Sequence, residues 1–82
     1  MTKTATQETT MNLTTLKDIF SKHIESPACR DNLLRAKWRQ EGVWAIGTVK
    51  GLRYAVSRVS ENVLFVMLTS KEGAGCTFHI QH

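Results

Sequence analysis

Several features that would identify a function class are missing from this chain. Its two cysteines, Cys29 and Cys76, stand far apart and form no CxxC pair, which excludes the disulfide framework of a small secreted domain. The N-terminal segment has no apolar core of signal-peptide length, and no apolar run approaches the roughly 20 residues of a membrane helix. We therefore expect a cytoplasmic protein with reduced thiols and no membrane contact.

Catalytic and cofactor motifs are also missing. No GxSxG, P-loop or GxGxxG pattern occurs, and the acidic residues form no close pair that would support a carboxylate-based hydrolase. No histidine stands in a context that marks a general base; the three are His23, His79 and His82. Cysteines and histidines lack the short paired spacing of structural zinc. We expect no enzymatic activity, no cofactor and no metal.

With 82 residues and a formal net charge of +4, the chain has room for one small, basic domain. Residues 1–11 contain five threonines and no apolar periodicity, so we expect a disordered tail followed by a single domain over 12–82. The positive charge is compatible with nucleic acid or with an acidic protein partner.

Apolar residues at helical spacing predict two helices. The first spans 13–24, with one apolar face made by Leu13, Leu16, Ile19, Phe20 and Ile24. Ser26 and Pro27 are typical of a helix start, and Gly42 is typical of a helix end. The second helix is therefore predicted over 27–41.

Residues 43–69 predict three strands joined by tight turns at Lys50-Gly51 and Glu61-Asn62. Residues 76–80 predict a fourth strand, which we expect to pair with the third. The predicted fold is α+β, with two N-terminal helices packed on one face of a three- to four-stranded antiparallel sheet.

Two-residue turns fix a strand register in which both faces of the sheet are largely apolar. The register assigns Phe65 and Met67 to the helix-covered face, together with Arg58 and Ser60 near its rim. Two helices cover one face only, and an uncovered apolar face is typical of an interface. We expect it to bind a partner protein or a second copy of the chain through Trp44, Ile46, Leu64, Val66 and Leu68.

A second candidate site is basic. Arginine binds phosphate or carboxylate with two parallel hydrogen bonds, and a neighbouring aromatic ring can stack on a base. The same pattern also fits a solvated helix face with Trp38 in the core. The residues of this basic patch are Arg30, Arg35, Lys37, Arg39, Arg53 and Arg58.

The segment GLRYAVSRVSENVLFVML, residues 51–68, resembles the core strands of RelE/ParE-type ribosome- or gyrase-directed toxins. In those toxins an alternating arginine/tyrosine strand precedes an apolar strand that follows a short acidic turn. The resemblance covers this hairpin only, since the chain has no clear first strand before its helices and no arginine after His79. It implies a small ribonuclease that uses arginines with His79 or His82.

Three hypotheses follow for the function. The first is a small non-catalytic interaction protein that regulates or inhibits a host protein complex, as proteins of phage and other mobile elements do. The second is a basic nucleic-acid-binding regulator, in which the helices form a helix-turn-helix and present Arg35, Lys37 and Arg39 to the groove. The third is the toxin-type ribonuclease.

Overall fold

The computed structural model describes residues 12–82, so the tail expected at 1–11 lies outside the described residues. The α+β prediction is confirmed, but the sheet has five strands where three to four were expected. No helix within residues 12–82 has the length and apolar character needed to cross a bilayer. The elements are α1 Leu13–His23, α2 Pro27–Arg35, β1 Lys37–Glu41, β2 Trp44–Val49, β3 Leu52–Ser60, β4 Val63–Thr69 and β5 Gly75–Gln81.

Helix α1 begins at a side-chain cap. The Asn12 carboxamide oxygen accepts hydrogen bonds from the backbone N–H groups of Thr14 and Thr15, at 2.8 and 3.3 Å. These bonds satisfy two of the N–H groups that a helix start leaves without an intrahelical partner. The helix buries one face against the sheet, through Leu16, Ile19 and Phe20.

Helix α2 begins as predicted, with Ser26 as its cap and Pro27 in its first turn, but it ends at Arg35. Ala36 takes an extended backbone with ψ of 151°, and residues 37–41 form strand β1. The helix predicted over 27–41 is therefore wrong in its second half. Gly42, with φ of +60°, lies in the turn between β1 and β2, where a left-handed conformation suits glycine.

All five strands pair antiparallel with their sequence neighbours, in the order β1-β2-β3-β4-β5. The two predicted turns are confirmed by the pairs Val49–Leu52 and Ser60–Val63. The predicted pairing of the last strand with the strand before it is also confirmed, because β5 pairs with β4 along its whole length.

A bulge in β3 changes which side chains of β4 face the helices. The pairing register shifts between Arg58 and Ser60, which leaves Val59 without a partner, and one extra residue in a strand reverses the face of every residue paired beyond it. We call the helix-covered side of the sheet the inner face and the opposite side the outer face. The face assignment made from the sequence is wrong for β4, since the inner face receives Leu64, Val66 and Leu68.

The core lies between the inner face and the two helices. Its centre has almost no solvent exposure, and among residues 12–82 no polar or charged residue is buried. Trp38 of β1 closes one side by stacking on Phe20, with ring centroids 5.5 Å apart, and by donating its indole N–H to the Leu33 carbonyl at 2.9 Å. The largest fully buried side chains within residues 12–82 are Phe20, Leu33, Tyr54, Val56, Leu64 and Val66.

Gly47 lies beside Trp38 on the inner face, and a β-carbon there would come within 2.8 Å of three atoms of the indole ring. We predict that Gly47→Ala lowers the free energy of unfolding by about 1–3 kcal/mol because the ring has to move. In a Trp38→Leu background the same change should cost less than about 1 kcal/mol, since the obstructing ring is gone. Urea unfolding of the four proteins of this cycle measures the coupling, and equal costs in both backgrounds would refute the contact.

Candidate functional site

The outer face is the uncovered surface of the sheet, and its residues fall into rows that run across the strands. One row contains aromatic rings from β2, β4 and β5. The ring centroids of Trp44 and Phe65 lie 6.4 Å apart in an edge-to-face arrangement, and those of Phe65 and His79 lie 5.2 Å apart. Such contacts stabilise ring pairs beyond the area that they bury, so the three rings form one continuous aromatic row.

Beside the aromatic row the outer face has a depression of about 210 Å³ with both apolar and polar lining residues. Ile46 is only 4% exposed, although it points away from the helices, because neighbouring side chains surround it. Met67 is 37% exposed and is one of the few large apolar side chains that reach solvent within residues 12–82. The depression is lined by Glu41, Trp44, Ile46, Arg53, Ala55, Met67 and Thr69.

Three cations and one carboxylate belong to the outer face. The register places Lys37 and Arg53 in one row and Arg39 in the next. Arg39 donates from Nε to the Glu41 carboxylate. Within the described chain, Lys37 and Arg53 have no carboxylate within ion-pair distance, so their charge is available to a partner.

The structure brings together only part of the predicted sheet site. Trp44 and Ile46 lie on the outer face, as predicted. The other three residues, Leu64, Val66 and Leu68, lie on the inner face, where the first two are 1% and 0% exposed.

Three outer-face residues were missed by the sequence analysis: Phe65, Met67 and His79. The signal that could have found them is Ser60, because a regular register puts this polar residue on the helix-covered face, whereas the bulge after Arg58 moves it to the other side. A polar residue at a predicted inward position is consistent with a shifted register.

The predicted basic patch is split over three surfaces. Arg30 and Arg35 lie on α2, where Arg30 donates to the Ile24 carbonyl at 3.0 Å and Arg35 pairs with Asp31 at 3.0 Å. Arg58 pairs with Leu64 on the inner side of the sheet and is exposed at its rim. Only three members of the patch share one surface, the outer face: Lys37, Arg39 and Arg53.

This arrangement also bears on the helix-turn-helix and the toxin hypotheses. Lys37 and Arg39 belong to β1, so the second helix cannot present them to a groove. Arg58 and His79 lie on opposite sides of the sheet, so these two members of the set that the toxin resemblance implies do not share one surface.

A second cleft, of about 280 Å³, lies between the end of α1 and strand β5 and contains both histidine and cysteine. Burial, and then the nearby charge of Cys76, raises the pKa of the Cys29 thiol, which disfavours the reactive thiolate. No hydrogen bond joins this thiol to a histidine within residues 12–82, and no group of three ligand-type side chains there could hold a metal ion. The cleft therefore lacks an activated nucleophile.

Comparisons of the chain with protein-family models, with curated proteins and with solved structures give no match.

We predict that iodoacetamide at pH 7.5 alkylates Cys76 about tenfold faster than Cys29, because Cys76 is exposed and the raised pKa of Cys29 keeps its thiol protonated. Single-cysteine variants Cys29→Ser and Cys76→Ser allow each rate to be measured by mass spectrometry. In urea the two rates should converge. Faster alkylation of Cys29 than of Cys76 in the folded protein would indicate an activated nucleophile and would support a catalytic function.

Proposed function

We propose that the protein is a non-catalytic interaction protein that binds a protein partner through its outer face. The observation that carries this proposal is a sheet face that no element of residues 12–82 covers, with apolar side chains and two cations, Lys37 and Arg53, that have no carboxylate partner within those residues. Tryptophan, phenylalanine, methionine and arginine are the residue types enriched at the centres of protein interfaces, and the outer face contains all four: Arg53, Trp44, Phe65 and Met67.

The role that we assign to this binding is regulation or inhibition of a protein complex by covering a surface that the complex needs. A small binding domain acts by blocking the surface of the complex to which it binds. Inhibitors of host machinery made by phage and other mobile elements work in this way, and we place the protein in that class. The free thiols of Cys29 and Cys76 are in keeping with a reducing cytoplasm.

A homodimer formed face to face is the second choice for this surface. In a C2 dimer the same surface of both copies forms the interface. The cations of the two outer faces would therefore approach one another. Like charges in an interface oppose association, which favours a different partner.

Nucleic acid is a second candidate function, and a specific observation favours it: Lys37, Arg39 and Arg53 lie beside the aromatic row. A cationic surface with aromatic rings is the usual arrangement for binding single strands. In this version the nucleic acid contacts the sheet and not a recognition helix.

The proposal is tested by photo-crosslinking in lysate of the host cell, with and without nuclease treatment. A photoreactive phenylalanine analogue replaces Met67 on the outer face, and in a matched control it replaces Lys17, which is exposed on α1. We expect one discrete protein adduct from position 67 and none from position 17. Excess unlabelled protein should compete for the adduct, whereas a folded Met67→Lys variant should not.

The result that would contradict the proposal is an adduct of the same protein from both positions, or a position 67 that yields no protein adduct. An adduct that disappears only after nuclease treatment would favour the nucleic-acid function instead.

A further inference from the structure

The depression on the outer face has the size and lining of a socket for one side chain. Its lining includes the aliphatic side chains of Ile46 and Ala55 together with Trp44 and Met67. Its volume of about 210 Å³ lies below the roughly 300–1,000 Å³ of pockets that hold drug-sized ligands. Hot-spot residues of protein interfaces are anchor side chains that fill well-packed pockets on the partner, and this depression has the size of such a pocket.

The charge at the rim of the depression is positive and unpaired. Arg53 and Glu41 both line it, but the Glu41 carboxylate is bound by Arg39. Arg53 has no carboxylate partner within residues 12–82, and Lys37 lies in the same row of the sheet. An arginine fork binds a carboxylate through two parallel hydrogen bonds, so the rim is complementary to an acidic residue.

The aromatic row is less suited to nucleobases than its composition indicates. A base stacks on an exposed ring face, whereas Phe65 has Trp44 and His79 as ring neighbours on its two sides. The depression itself offers aliphatic carbon and a methionine in its lining. A polypeptide side chain fits this lining better than a base does.

From these observations we propose that the partner presents a short segment in which a large apolar side chain stands next to an aspartate or glutamate. The apolar side chain enters the depression, and the carboxylate pairs with Arg53 at its rim. This inference rests on the proposed function, because it names the chemistry of the protein partner that binds the outer face.

The test is a display selection of random dodecapeptides on the wild-type protein, followed by fluorescence anisotropy with the enriched peptides. We expect the enriched sequences to share Asp or Glu within two positions of Leu, Ile, Met, Phe or Trp. Arg53→Gln should weaken their binding about tenfold. The matched control Arg58→Gln removes the same charge from the inner side and should leave the affinity unchanged.

A second variant, Ala55→Leu, fills part of the depression and should abolish peptide binding. Urea unfolding shows whether Ala55→Leu folds. If it does not fold, the comparison of Arg53→Gln with Arg58→Gln still tests whether the peptide carboxylate pairs with Arg53. Deca-uridine serves as the nucleic-acid probe, and we expect it to bind more weakly than the enriched peptides.

Three results would overturn the inference. Enriched peptides without a carboxylate, insensitive to Arg53→Gln but blocked by Ala55→Leu, would refute the acidic partner while leaving the proposed function intact. Failure to enrich any peptide would refute it as well, and the crosslinking experiment would then judge the proposed function separately. Tighter binding of deca-uridine than of every peptide, falling steeply with salt, would assign the surface to nucleic acid.

Discussion

The β-bulge at Val59 determines which side chains of β4 pack against the helices and which face away from them. Without the extra residue, β4 would direct Phe65 and Met67 at the helices and place Leu64 and Val66 in solvent. With it, the inner face gains the two aliphatic residues that complete the core, and Val59 itself is left 60% exposed. A bulge weakens pairing at one point of the ladder, and the cost is offset because aliphatic side chains pack well against α1 and α2.

The two faces of the sheet differ in what covers them within residues 12–82. Two short helices cover the inner face, and Trp38 closes its side by stacking on Phe20. No described element covers the outer face, which therefore keeps its aromatic row, its depression and the unpaired charge of Arg53. The core depends on the inner side of these strands, whereas the proposed binding would use the outer side, so a substitution such as Met67→Lys is expected to alter that binding with little effect on the core.

Much of this architecture is predictable from local patterns, and the failures have physical causes. The start of both helices, the two tight turns and the pairing of β5 follow from caps, turn residues and alternation. The end of α2 is not predictable in this way. Trp38 follows Leu34 at a helical spacing, but an inward-facing residue of a strand is apolar as well. The sequence also does not determine which side chains of β4 face the helices. The first six residues of β4 are all apolar, so either register puts apolar side chains on both sides. The predicted face was accordingly correct for Trp44 and Ile46 of β2 and wrong for Leu64, Val66 and Leu68 of β4.

The bulge and the two sheet faces are best tested by paramagnetic relaxation of methyl resonances with a soluble gadolinium chelate. This measurement reports which side chains of β4 reach solvent, without any mutation and without knowledge of the partner. We predict strong broadening of the Met67 methyl and protection of the Leu64 and Val66 methyls, which are 1% and 0% exposed. Protection of Met67 with broadening of Leu64 and Val66 would show that β3 has no bulge, and the outer face described above would not exist.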